Sequence, residues 1–318
     1  GVSPEELAVA VAAGGGGGPG YDVADAMSGG LLRTIQGPAD GGAWSSHGIA
    51  VDSVNDLLYV SNSDAGGSTE GIRVYKTADD SLVQRQTVAA ADYRSIAVDG
   101  EAGIVIVGNQ NTLFDQSGVT VFDAADLSLV ERLAAHKYGN KVYGVSIDAE
   151  RDQLYVSARD RYPSGLIRVK LPAELPAVEQ PEPEHDWRPR ALTAIPTETV
   201  EGAAEIRPVG SVVDPATGHL FLADEMRPAR VHVIDPATDK VVRTMTAPTT
   251  DPVQDGLRDI AYDAVNGWLY VGFGSNWVVM DAETGELVRG PFAFSGGVRG
   301  MDVDVEAGLV YGGVRGSG

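Results

Sequence analysis

The feature that most restricts how this chain can fold is a repeat that it begins in the middle. "YDVADAMSGGLLRTI" (21–35) and "VHVIDPATDKVVRTM" (231–245) superpose with Asp25 on Asp235, Leu31 and Leu32 on Val241 and Val242, and Arg33-Thr34 on Arg243-Thr244. The later copy is the second half of a longer unit whose first half recurs as "GIAVD" (48–52), "SIAVD" (95–99), "GVSID" (144–148), "GSVVD" (210–214), "DIAYD" (259–263) and "GMDVD" (300–304). The terminal aspartates, Asp52, Asp99, Asp148, Asp214, Asp263 and Asp304, are 41 to 49 residues apart, except for 66 between Asp148 and Asp214. After each comes a turn and a second apolar run, such as "LLYVSN", "LFLADE" or "LYVGFG". Third runs ("GIRVY", "GVTVF", "GLIRV", "RVHVI", "NWVVM") follow in five units and fourth runs ("LVQRQTV", "LVERLAA", "VVRTMTA", "ELVRG") in four of them, but the sixth stops at "LVYGGVRGSG".

Self-similarity at this period is the mark of a repeat architecture. Four short runs rich in β-branched and aromatic residues, with turn residues between them, read as four strands. Four strands in about 45 residues are one blade of a β-propeller. The expected fold is therefore all-β: a six-bladed propeller of four-stranded antiparallel blades. Its last blade takes its outer two strands from the N-terminus, because an open row of blades would leave raw sheet edges at both ends. Residues 21–318 form this propeller, and residues 1–20 read as a tether. In the tether "SPEELAVAVAA" predicts a short helix and "GGGGGPG" a flexible linker without the basic start of a signal peptide.

Composition removes several function classes. A formal charge of −21 opposes nucleic acid and anionic membrane surfaces, both of which demand a basic face. No apolar run approaches the roughly 20 residues of a membrane span. With no cysteine, thiolate metal sites and cysteine nucleophiles are absent. The five histidines (47, 136, 185, 219, 232) show no paired spacing such as HExxH, and no G-x-S-x-G elbow or Walker loop occurs.

"VHVIDPATDKVVRTM", with "LYVSN" and "LFLAD" ahead of the loops, resembles the YVTN family of β-propeller repeats, and the "GIAVD…LYVSN" half resembles the related NHL repeats. The resemblance runs over 21–318 and implies the propeller fold and a secreted, periplasmic or cell-surface location. It leaves function open, since such repeats serve surface-layer proteins, redox-enzyme subunits, lyases and scaffolds. The chain departs from the pattern in having six units where these arrays often close with seven. It also places Lys170 at an aspartate position, followed by an insertion (171–208) rich in proline and glutamate. Within that insertion "ALTAI" can supply a fourth strand, and the rest reads as a solvated loop or as a flap presenting His185, Asp186, Trp187 and Arg188.

In a propeller the first strand of every blade lines the central channel, so the residue just ahead of it stands at the channel mouth. Counting back five from each terminal aspartate gives His47, Arg94, Tyr143, Val209, Arg258 and Arg299, with Arg207 two residues before Val209. Arginines cannot shed their charge, and their forks match carboxylate and phosphate. His47, Arg94, Tyr143, Arg207, Arg258 and Arg299 are thus candidate ligand-binding residues, for an anionic small molecule or an acidic protein segment. The competing reading is an internal salt-bridge belt with Asp92, Asp224, Glu225 and Asp259. No cofactor and no metal site is expected at the mouth, whose arginines would repel a divalent ion. Asp64, Asp115 and Asp160 remain candidates for peripheral calcium. The preferred function is a monomeric binding module. The alternative is a lyase or hydrolase acting on an anionic substrate, with His47 or Tyr143 as acid/base.

Overall fold

The computed structural model describes residues 20–36, 46–62, 71–87, 93–109, 118–134, 141–159, 165–170, 192–195, 206–251 and 255–315. The chain opens with β1 (Tyr21–Asp25) and β2 (Leu31–Ile35). Blade 1 follows as β3 (Ser46–Asp52), β4 (Leu57–Asn62), β5 (Gly71–Lys76) and β6 (Leu82–Thr87). Blade 2 is β7 (Tyr93–Asp99), β8 (Ile104–Asn109), β9 (Gly118–Asp123) and β10 (Leu129–Ala134). Blade 3 comprises β11 (Lys141–Asp148), β12 (Gln153–Arg159), β13 (Gly165–Lys170) and β14 (Leu192–Ile195), the last drawn from the insertion. Blade 4 is β15 (Pro208–Val213), β16 (Leu220–Asp224), β17 (Arg230–Asp235) and β18 (Lys240–Thr246). Blade 5 is β19 (Leu257–Asp263), β20 (Trp268–Phe273), β21 (Asn276–Asp281) and β22 (Leu287–Ala293). Finally, β23 (Gly297–Asp304) and β24 (Leu309–Arg315) join the opening strands in the order β2-β1-β24-β23.

The ring closes. Tyr21 pairs with Gly313 and so on down to Asp25 with Leu309. Each innermost strand lies against the next, from β3 through β7, β11, β15, β19 and β23 back to β3. Side chains reinforce the seam. The Ser46 hydroxyl donates to the Gly20 carbonyl and accepts the Val314 amide at 3.2 Å. Buried Asp22 accepts the Thr34 hydroxyl at 2.6 Å, and the Ser295 amide and hydroxyl at 2.5 and 3.0 Å.

Successive strand residues point to opposite faces, and in a ring both faces of every blade are covered. The described core accordingly divides into six clusters, one per blade interface. Ile49, Leu58 and Tyr75 of blade 1 meet Tyr21, Val23 and Tyr311 of blade 6, for example, and Ala261, Tyr270 and Trp277 of blade 5 meet Val298, Met301 and Val310.

The repeated aspartates are turn-formers, as their recurrence in every blade implies. Asp52 accepts the amides of Val54 and Asn55, each at 3.1 Å, and Asp263 those of Val265 and Asn266 at 2.9 and 3.0 Å. Four residues beyond each terminal aspartate the backbone turns left-handed, at Asp56, Gly103, Asp152, Gly218, Gly267 and Gly308. Glycine and aspartate are suited to that conformation.

A second repeat-encoded device runs round the perimeter, where an outer strand of one blade grips the outer turn of the next. Arg33 pairs with Asp80, Gln86 donates to the Leu127 carbonyl at 2.6 Å, and Arg168 reaches Asp239 at 2.8 Å. Arg243 donates to the carbonyls of Glu283 and, at 2.8 Å, Ala282.

Candidate functional site

Every inner strand carries an irregularity at the same place. Tyr93 pairs with Asn109 and Ser95 with Gly108, which leaves Arg94 without an opposite number. Tyr143, Arg258 and Arg299 are skipped in the same way between Val142 and Gly144, Leu257 and Asp259, and Val298 and Gly300. In blades 1 and 4 two residues fall in the gap, His47-Gly48 and Val209-Gly210. Each candidate mouth position is therefore a β-bulge residue, and bulges turn a side chain out of the regular in-and-out alternation. Here they gather the six positions round one cavity of about 330 Å³, bordered by His47, Arg94, Lys141, Tyr143, Val209, Glu225, Arg258, Arg299 and Arg315.

The small residues one step deeper make the close approach possible. A Cβ on Gly144 would lie 2.0 Å from the Val209 carbonyl oxygen, and one on Gly300 2.2 Å from that of His47. The inner strands thus touch backbone to backbone directly below the mouth.

The charged groups arrange themselves unevenly. Arg94 Nη1 lies 2.6 Å from His47 Nε2. A guanidinium only donates, so Nε2 is the acceptor and the neutral ring carries its proton on Nδ1. Arg258 is ion-paired with Glu225. Arg299 is half-buried, its Nε sealed from solvent without a hydrogen-bond partner, and it forms no ion pair among the described residues. Its pKa is pulled below the ordinary guanidinium value by burial first, then by Arg258, Arg315 and Arg94, with Glu225 opposing.

Of the carboxylates expected to neutralise the arginines, Asp224, Glu225 and Asp259 are among the described residues, and of these Glu225 is ion-paired with one arginine. Asp224 instead accepts the amides of Arg207 and Met226 at 3.0 and 2.8 Å and meets His232 Nε2 at 3.3 Å. Asp259 accepts the Met301 amide of the neighbouring blade at 2.8 Å, and Asp92 lies outside the described residues. Arg207 is exposed and does not border the cavity. Lys141, Glu225 and Arg315 do border it. Glu225 is expected from the sequence as a partner of the arginines, but a count of one residue per repeat could not find Lys141, two residues before Tyr143, or Arg315 on the adjacent strand β24.

Beneath the mouth the same strands enclose a channel cavity of about 150 Å³. Asp259 and Asp302 face its lumen, enclosed by protein yet keeping some surface toward the channel. Desolvation raises Asp259 to about 7 and Asp302 to about 6, against the backbone amides of Met301 and Val51 that hold their carboxylates. Among the described residues no group of three or more His, Cys, Asp or Glu could hold a metal ion. Asp64, Asp115, Asp160, His185, Asp186, Trp187 and Arg188 lie outside the described residues. No described helix is long and apolar enough to cross a membrane.

No protein-family model matches the sequence, and no curated protein matches it. Among solved structures, a chain from the crystal structure of a nidogen/laminin complex superposes with a TM-score of 0.59 at 12% identity. The match spans 87% of this chain and 94% of that one. At that identity the likeness speaks to architecture, and together with the sheet order it makes this chain a six-bladed β-propeller.

Proposed function

We propose that this propeller is a binding module of the YVTN/NHL repeat type, acting outside the cytoplasm, whose basic channel mouth captures an anion. The observation that carries the reading is Arg299. A half-buried guanidinium ringed by Arg258, Arg315 and Arg94, with no carboxylate of its own among the described residues, sits at a free-energy cost that an anion would relieve. The related structure comes from a complex of two proteins, which fits a propeller used for recognition. The alternative, proton transfer by His47, is weakened by the engagement of its Nε2 with Arg94.

The test is a thermal-shift series with carboxylates, phosphate and sugar acids on the wild type and on Arg299→Gln. A ligand at a hundredfold excess over its Kd adds about 3 kcal/mol, hence a rise of several degrees. The expected result is such a rise in the wild type and its loss in the variant. An unresponsive wild type, or an Arg299→Gln that responds as the wild type does, would remove the proposal.

A further inference from the structure

This inference rests on the anion-binding reading and narrows it to a ligand class. In a ring of six, blade 2 stands opposite blade 5, blade 3 opposite blade 6, and blade 1 opposite blade 4. The mouth residues therefore fall on three diameters. Arg94 faces Arg258 across the axis, Lys141 and Tyr143 face Arg299 and Arg315, and neutral His47 faces Val209 and Glu225, the carboxylate that is ion-paired with Arg258. Two diameters carry basic side chains at both ends, one of them offset by Glu225 beside Arg258.

Arg299 and Arg315 carry most of the argument. They belong to adjacent strands of blade 6, where Gly297 pairs with Arg315 and Val298 with Val314. Arg315 depresses the protonation of Arg299, and neither has an ion-pair or hydrogen-bond partner among the described residues. Two neighbouring forks of that kind suit one carboxylate. A single carboxylate held there, however, leaves the opposite end of the diameter untouched. The cavity of about 330 Å³ is also far larger than one small ion, given roughly 30 Å³ per water. Val209 and the ring of Tyr143 add apolar wall between the charges, which suits a carbon skeleton.

We infer that the mouth takes a compact organic polyanion, a di- or tricarboxylate, with one carboxylate on Arg299 and Arg315 and another across the axis toward Lys141 and Tyr143. Inorganic phosphate shares the charge but cannot span the diameter. Acetate shares the headgroup but has only one.

Isothermal titration of the full chain at constant ionic strength separates these cases, with acetate, succinate, tricarballylate and inorganic phosphate as probes. Each additional charge-assisted contact is worth about tenfold to a hundredfold in affinity. Succinate and tricarballylate are expected to bind at least about tenfold more tightly than acetate or phosphate. Arg299→Gln and Arg315→Gln should each weaken them about tenfold, while Lys240→Gln on the exposed outer strand of blade 4 leaves them unchanged. Should Arg299→Gln fail to fold, as judged by its far-UV circular dichroism, exposed Arg315 supplies the same test. Arginine-dependent binding in which acetate or phosphate equals succinate would overturn the polycarboxylate inference and leave the anion-binding mouth standing. Absence of binding by every probe would bring down both.

Discussion

Asp259 and Asp302 occupy positions where the other blades carry Gly, Ala, Ser or Val, and their carboxylates accept amides from the adjacent inner strand of the next blade. Both protonate more readily in the fold than in the unfolded chain. Between about pH 4 and pH 7 the folded state thus binds protons that the unfolded state has released, so stability falls as pH rises through that window. A tenfold difference in proton affinity between the two states is worth about 1.4 kcal/mol. The surface that Asp259 keeps toward the channel leaves its charge partly open to solvent screening, so roughly 2 kcal/mol is the scale for it. Asp259→Asn keeps an oxygen for the Met301 amide and removes the charge. It should raise the melting temperature at pH 8 by a few degrees and flatten the loss between pH 5 and 8, as scanning calorimetry would register. A variant with the wild-type pH profile would show that Asp259 titrates normally. The asymmetry of Asp259 among the repeats was legible in the sequence, but its partner was not. It lies next to Arg258 in the chain, yet a strand sends neighbouring side chains in different directions, and the lumen claims one while the mouth claims the other.

At the scale of the strand, the repeats made the four-strand unit, its turns and its closure readable, because each is written in local residue types. The bulges were not readable. A bulge is a relation between two strands, and His47, Arg94, Tyr143, Val209, Arg258 and Arg299 share no residue type that announces it. The count from the terminal aspartates still reached these positions because the bulge occurs at the same register in every blade. Perimeter contacts were likewise hidden: the "LVR" of the fourth strand looks like solvated surface until the next blade's turn is set beside it. Arg243→Ala removes two charge-assisted bonds to the carbonyls of Ala282 and Glu283 and should cost about 2 kcal/mol. A drop of roughly 3–6 °C would register it. Gly144→Ala should be far worse, about 3 kcal/mol or more, since backbone rather than a movable side chain blocks the new methyl. Soluble yield and urea midpoints would rank the two.

For the whole molecule, closure decides how damage spreads. In an open row of repeats, injury to a terminal unit frays that end alone. Here the terminal strands lie in the middle of blade 6, with β1 between β2 and β24. Asp22→Ala would leave the Ser295 amide and two hydroxyls without their acceptor and should cost about 3 kcal/mol. The loss should appear as one lowered transition, with hydrogen exchange accelerated in blade 3 as much as in blade 6. Fraying restricted to residues 21–35 would argue that the seam is not what holds the ring. The charge pattern is also a property of the whole. The chain is strongly acidic, and the hollow of about 350 Å³ at the opposite end of the channel is bordered by Asp52, Asp99, Glu101, Asp148 and Glu150. The basic mouth is therefore a local departure from the molecule's own field.

A bulge residue has no partner across the ladder, so exchanging its side chain disturbs no strand pairing. Arg94, Arg258 and Arg299 behave like a combination lock of three dials mounted on a fixed housing, to which buried His47 and the core-packed Tyr143 and Val209 belong. Replacing arginines with glutamates or aromatics there would rewrite what the disc recognises while the sheets beneath keep their register, which makes this rim a natural place to program new specificities.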